Sequence, residues 1–395
     1  MDGGDRRVRI EILTKMNTTL PRDGGALRTR AIADHLTEAG YNVTISSVKG
    51  RAPGRALRDP GLVLRSCALL IQMLAHLARY PAYSLVKWIS WGVVVDIARS
   101  RRTKHVSYTL IDSSQIAIYA PICKLVVAFS LQNVESDLLS SYAKSGSGRV
   151  RRLVARYDSL IMRRFETWIL KQGSPVFVVS DHDRDVLQRI NLDAKVIVTP
   201  NGVSDECFGA ERPRSKTVVF VASLDWQPNI DAAVWLARTV WPAVAAQVCD
   251  AKLFLIGRAP ARRVWDLRSE SVSVIPDVVS VIPYVAAARV ATAPLHSAGG
   301  TRLKILEALA CGTPVVATPL GALGLESAFD EEALRIRADP LEFAEELVSL
   351  LKSGPEPALR EACRAQSVPF KWSNSLSPMT EELGSLIRAP SSGSR

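Results

Sequence analysis

Histidine, methionine and aromatic residues are sparse in this chain, and what it lacks narrows its chemistry. The 5 histidines are spread without ligand spacing, so none is assigned to a metal. The 6 cysteines (Cys67, Cys123, Cys207, Cys249, Cys311 and Cys363) show no paired spacing. That argues against a disulfide framework and a zinc site, and for a reducing compartment. The opening MDGGDRRVRIEIL has no signal-peptide apolar region, and no uninterrupted apolar run reaches about 18 residues. Neither a secretory leader nor a membrane span is expected. Aromatics make up 6% of the chain and few interleave its basic runs, so nucleic acid is set aside. Acidic residues are also short, 39 against 50 Lys and Arg, leaving a net charge of +11. An acidic partner is expected: a phosphate-bearing small molecule, a lipid diphosphate or an anionic membrane surface.

The length of 395 residues is ample for two domains, and 47% hydrophobic with 23% charged content is that of a globular protein. The stretch from Arg289 to Gly321 is the most informative. It reads as a strand (Val290 to Leu295), a loop with Gly299 and Gly300, a short helix, a stop at Gly312 and a second strand (Val315 to Thr318). Thr301 suits an N-cap, and Leu303, Leu306 and Ala310 fall at i, i+3 and i+7, the face laid on a sheet. Arg302 and Lys304 stand in the first turn, where the helix dipole disfavours cations. Their presence beside unpaired backbone N–H groups fits an anion resting on a pliable glycine loop. Glu307 lies roughly 40° from Leu303, so a carboxylate borders the packed face and is placed to accept hydrogen bonds from sugar hydroxyls. A solvated Arg302 and Lys304, with Glu307 paired to Lys304, is the plainer alternative.

Along the chain, Val8 to Thr14 reads as the first strand, with a loop to Asp23-Gly24-Gly25 feeding a helix carrying Ile32, Leu36 and Ala39. Gly40 ends that helix and Tyr41 to Ser46 returns as a strand, a doubly wound beginning. Residues 49–60 form a basic loop, followed by a helix apolar nearly all round except for Arg65, Gln72, His76 and Arg79. Deep packing is the commoner explanation of so narrow a polar stripe; a greasy surface is the other. After Tyr83 to Ala98 and a basic run at Arg101, Arg102 and Lys104, Val106 to Ile111 reads as a strand, with Asp112, Ser113 and Ser114 as a cap or site loop beyond it. Arg149 to Lys171 is a long amphipathic helix with Arg149, Arg152, Arg156 and Arg163 on one face. Leu153, Tyr157, Ile161, Phe165 and Trp168 lie opposite. The arginines are a solvated face or a stripe for anionic headgroups. Residues 199–216 read as an interdomain connection. Strands at 217–223, 252–257 and 271–275 then alternate with helices at 229–238 and near 260–268, and two more strand–helix repeats run to Leu351. The tail from Ala389 has a disordered composition.

The segment PLHSAGGTRLKILEA resembles the donor-binding segment of GT-B glycosyltransferases, in particular the family-4 retaining enzymes. VVFVASLDWQPNIDAAVWLARTVWP (218–242), VFVVSDHD (176–183), VIVTPNGVSDECF (196–208), LQNVESDLL (131–139) and PRDGGALRTRAIADHLTEAGYNVTI (21–45) resemble other segments of that fold, in order. The resemblance implies an α/β chain of two doubly wound Rossmann-like domains facing across a cleft. Residues 1–200 would be the acceptor-side domain and 201–370 the nucleotide-sugar donor domain. A helix at 371–388 would return to the first domain, ahead of a disordered 389–395. By the same resemblance, Gly25 and Arg28 lie near the donor phosphates, Gly257 and Pro276 near the nucleotide, and Gly300, Thr301, Arg302, Leu303, Lys304 and Glu307 hold the donor.

Three positions depart from the family pattern. Gly299 stands where a first glutamate is frequent, Ala222-Ser223-Leu224 replaces a motif with a diphosphate-binding arginine, and Gln132 replaces a histidine. Gln132 and Asp112 are the candidates to orient the acceptor hydroxyl. The implied activity is transfer of a hexosyl-type sugar from a nucleotide diphosphate to a polysaccharide, lipid-linked or small-molecule hydroxyl. Retention is implied, with no metal and no cofactor beyond the nucleotide-sugar co-substrate. A cytoplasmic location, at most peripheral to the inner face of a membrane, accompanies it. The departures leave open a catalytically silent GT-B subunit with a scaffolding role, and a nucleotide-sugar epimerase of the same fold.

Overall fold

Twelve short apolar runs form two parallel sheets in a computed structural model that describes residues 8–16, 24–48, 59–101, 107–145, 148–212, 215–296, 303–353 and 357–388. The chain divides into two units, one made of residues through Pro200 and from Ser375 onward, the other of Asn201–Asn374.

The first unit holds β1 (Arg9–Thr14), β2 (Asn42–Ser47), β3 (Ser107–Asp112), β4 (Val126–Leu131), β5 (Val176–Val178) and β6 (Val196–Val198) in the order β2-β1-β3-β4-β5-β6. Ile10, Ile12, Leu110, Phe129 and Phe177 are fully buried, as strands covered by helices on both faces require. The order reverses at β1, so β1 and β3 flank a switch point, and Thr14 pairs with Asp112 at its carboxyl end. Asp112 is thus the last residue of the strand rather than a loop residue beyond it.

The second unit holds β7 (Thr217–Val221), β8 (Lys252–Gly257), β9 (Val272–Pro276), β10 (Val290–Ala293), β11 (Val315–Ala317) and β12 (Leu334–Ile336), ordered β12-β11-β10-β7-β8-β9. This is the doubly wound dinucleotide-binding order, with its switch point between β7 and β10. Gly312, at φ +74°, closes the helix Leu303–Ala310 and turns the chain into β11. The terminal helix Trp372–Arg388 begins in this unit, and from Ser375 it belongs to the first, where Leu376, Met379 and Leu383 are buried.

Four expectations need correction. The helix at 229–238 runs from Gln227 through a widened turn, Leu236–Val240, to Gln247. Pro242 has no N–H to donate to Arg238, and the Trp241 N–H reaches back to the Leu236 carbonyl instead. The helix near 260–268 is a single turn, Arg262–Trp265, after which Arg268 folds back to the Trp265 carbonyl at 3.2 Å. Deep packing does not describe Pro60–Leu77: Leu62, Ser66, Leu69, Met73 and Leu77 bury one face only. This helix is also long and apolar enough to cross a membrane by length and composition alone, at 18 residues and mean hydropathy 1.4. On Arg149–Leu170, Ile161 and Phe165 are buried as expected, but Leu153 and Tyr157 are exposed, because in its first half the helix Glu135–Ser145 packs on a different face, the one that holds Asp158 and Ser159.

Candidate functional site

In the second unit the polar groups gather at the carboxyl ends of the strands around the β7/β10 switch point. Leu303, Leu306 and Ala310 are buried, which sets the helix against the sheet and decides where Lys304 and Glu307 fall. The Lys304 ammonium sits 5.1 Å from the ring centroid of Phe220 on β7. Burial pushes the Glu307 carboxyl up to about 7, against the pull of Lys304. A carboxyl poised near neutrality is suited to both accepting and donating hydrogen bonds. Gly300, Thr301 and Arg302, with Gly299, lie outside the described residues.

Gly257 ends β8, where a Cβ would stand 1.6 Å from the Ala222 carbonyl oxygen, so only glycine fits. The Ala222 N–H donates to the Ile256 carbonyl at 2.9 Å and that of Leu224 to the Arg258 carbonyl at 3.0 Å. Pro276 ends β9, and Asp277 after it donates its N–H to the Gly257 carbonyl at 3.1 Å. Asp277 Oδ1 accepts from the Ala259 N–H at 3.3 Å. Ala259 and Asp277 both hold positive φ, +44° and +49°. Two non-glycine residues in the left-handed region within one loop pair mark a strained site of the kind found where ligands bind. Arg258 pairs with Asp225 at 3.2 Å, which places a cation in the loops where the Ala222-Ser223-Leu224 motif lacks one.

In the first unit the switch point is occupied by a hydrogen-bonded cluster. Asp112 is fully buried and its carboxylate accepts from Thr29 Oγ1, from Thr14 Oγ1 at 3.2 Å and from Gln132 Nε2 at 3.3 Å. The Gln132 amide also donates to the Gly25 carbonyl at 3.4 Å. A Cβ on Gly25 would meet Gln132 Oε1 and Met16 Cε, each at 2.4 Å, which explains glycine there. Asp112 thus anchors its neighbours Thr14, Thr29 and Gln132. Arg28 is held in a similar way. It is fully buried, donating to Thr199 Oγ1 at 2.8 Å and to the Pro200 carbonyl at 3.0 Å. Burial lowers its pKa to about 10, countered by Asp112. Its guanidinium fixes the end of β6.

Sequence reasoning missed Lys15. Its ammonium donates to Gln115 Oε1 at 3.0 Å, pairs with Glu135 Oε1 at 3.5 Å and lies 5.8 Å from the Trp88 ring. The three partners come from the ends of β3, β4 and a helix link, and the pairing spans over a hundred residues. The one local signal was a lysine at a strand's carboxyl tip. Ser113, at φ +137°, supports the same corner by accepting the Gln115 N–H at 3.3 Å. Glu166 holds the following turn through the Ser136 N–H at 3.2 Å and the Ser136 hydroxyl, with burial pushing its carboxyl up to about 7.

Two doubly wound parallel sheets, one in the dinucleotide-binding order, constitute the GT-B fold. Solved glycosyltransferases share it along nearly the whole chain. A glycosyltransferase from Rickettsia africae is 13% identical with a TM-score of 0.62, covering 98% of this chain and 100% of that one. HepE of Anabaena, solved with UDP and glucose, is 13% identical with a TM-score of 0.59, over 95% and 100%. A UDP-forming α,α-trehalose-phosphate synthase from Burkholderia xenovorans is 11% identical with a TM-score of 0.61, over 95% and 100%. Residues 215–353, holding all six strands of the second unit, match the family described as glycosyl transferases group 1. No curated protein matches the chain.

Proposed function

We propose that the protein is a glycosyltransferase that moves a hexosyl-type sugar from a nucleotide diphosphate donor to an acceptor hydroxyl, with retention of configuration. The observation that carries this is the helix Leu303–Ala310: it presents Lys304 and a Glu307 held near neutrality beside the β7/β10 switch point, within the segment matched by the glycosyltransferase family. As the glycosidic bond breaks, negative charge grows on the departing diphosphate. Lys304, with Arg302 two residues before it in sequence, neutralises that charge, and Gly300 and Thr301 let the diphosphate approach the backbone. Glu307 accepts hydrogen bonds from the sugar hydroxyls. Gly257 and Pro276 border the nucleotide through the strained loop pair. In the first unit Gln132 and the Lys15–Glu135 pair orient the acceptor, a polysaccharide, lipid-linked or small-molecule hydroxyl, while Asp112 and Arg28 hold them in place.

HepE was solved with UDP and glucose, so UDP-sugars head the donor panel. Purified protein is incubated with UDP-, GDP- and ADP-sugars, with and without candidate acceptors, and diphosphate release and product anomer are measured. Slow release from one donor, accelerated by acceptor and absent in Lys304→Ala, is expected. Thermal stabilisation by nucleotide without release would favour the silent subunit, motivated by the missing arginine at Ala222-Ser223-Leu224. Conversion of donor to its epimer would favour the epimerase.

A further inference from the structure

We infer that the first unit carries a docking surface for an anionic bilayer, formed by the exposed faces of Pro60–Leu77 and the first half of Arg149–Leu170. This goes beyond sugar transfer and does not depend on it. On the second helix Val150, Leu153, Val154, Tyr157 and Leu160 fall at i, i+3, i+4, i+7 and i+10, a stripe about 120° wide. Each is at least half exposed, Val150 at 76% and Leu153 at 68%. An apolar stripe at helical spacing is ordinarily the packed face; here it is open.

Charge on this helix is segregated to match. All six of its arginines, Arg149, Arg151, Arg152, Arg156, Arg163 and Arg164, are exposed, and among the described residues none pairs with a carboxylate. Its two acids both point inward: Asp158 accepts from the Tyr83 and Ser84 N–H groups at 2.9 and 3.0 Å, and Glu166 binds Ser136. A solvated helix gains nothing from turning every acid inward. An apolar stripe flanked by unopposed arginines is what headgroup phosphates and the acyl boundary together attract.

The first helix extends the surface. Its buried face belongs to the core through Leu62, Leu69, Met73 and Leu77, so it lies along a bilayer rather than through one. Its opposite face is apolar and open, with Leu64 at 73% and Ile71 at 67% exposed. His76 near its end sits 4.4 Å from the Trp168 ring of the second helix. Trp168 shares a line with Tyr157 and Val150 at helical spacing, so the uncovered stripe continues the line that meets the last turn of the first helix at His76.

The test is flotation of the full chain with phosphatidylcholine vesicles with or without about one third phosphatidylglycerol. Wild type is expected to bind the anionic vesicles only. Replacing Arg149, Arg151, Arg152 and Arg156 by Gln should lower partitioning about 100-fold or more, at about five-fold per cation. Leu153→Ser with Leu160→Ser, and separately Ile71→Ser, should lower it about ten-fold with thermal unfolding and turnover on a soluble acceptor unchanged. Binding lost with the arginines but indifferent to the apolar changes would overturn insertion in favour of simple ionic adsorption. Absence of vesicle binding, or self-association abolished by Leu153→Ser with Leu160→Ser, would overturn the proposal and make the surface a protein interface.

Discussion

Replacing Glu307 by Gln should stabilise the second unit at high pH and leave it unchanged at low pH. The carboxyl rises from 4.5 to about 7 on folding because burial disfavours its charge more than Lys304 favours it. A rise of that size corresponds to about 3 kcal/mol. Since Glu307 keeps partial access to solvent, screening reduces the expected value to about 1–3 kcal/mol. The sign follows from proton counting. Below about pH 4.5 both folded and unfolded chains hold the proton, and glutamine mimics the neutral acid. Between 4.5 and 7 the folded state retains a proton the unfolded state has lost, so the stability associated with it declines as pH rises through that window. Above 7 the native protein carries a buried charge and the full penalty. Urea unfolding of wild type and Glu307→Gln, followed by hydrogen exchange in peptides of 201–374, should show curves that coincide near pH 4.5 and diverge to about 1–3 kcal/mol at pH 8. A difference independent of pH, or a variant less stable at pH 8, would refute the assignment of Glu307 as a carboxyl held near neutrality for its ligand.

Other perturbations have equally definite outcomes. Arg28→Ala removes the donors to Thr199 and Pro200 and leaves Asp112 without its countercharge, and should destabilise the first unit by about 3–5 kcal/mol in denaturant melts; a loss under 1 kcal/mol would show the guanidinium is not holding β6. Gly257→Ala forces the β7 and β8 ends apart because its Cβ would lie 1.6 Å from the Ala222 carbonyl. A loss of at least about 2 kcal/mol together with weakened nucleotide stabilisation is expected by thermal shift. Lys15→Met should lower acceptor-dependent turnover at least about ten-fold while leaving donor-only hydrolysis unchanged; equal losses in both would make Lys15 structural.

The strand–helix rhythm of both units was legible because parallel strands read as unbroken apolar runs between glycine stops, as at Val315–Ala317 after Gly312. The position of Lys304 and Glu307 on a sheet-facing helix was legible for the same reason: Leu303, Leu306 and Ala310 repeat at helical spacing. Partners distant in sequence were not. Nothing local distinguishes Arg28, which reaches Pro200, from an arginine awaiting a phosphate. Lys15 and Glu135 likewise meet only once β1 and β4 lie in one sheet. Periodicity also marks which face of a helix is apolar without saying what covers it, so the open stripes on Pro60–Leu77 and Arg149–Leu170 read as packed ones. The widened turn at Leu236–Val240 followed from Pro242, a local signal that was present and overlooked.

The most direct test of the central claim is calorimetric titration of nucleoside diphosphates into wild type and into Arg302→Ala with Lys304→Ala. The account predicts that at least one diphosphate binds wild type and that the double variant loses this binding. Unchanged affinity in the double variant would contradict it.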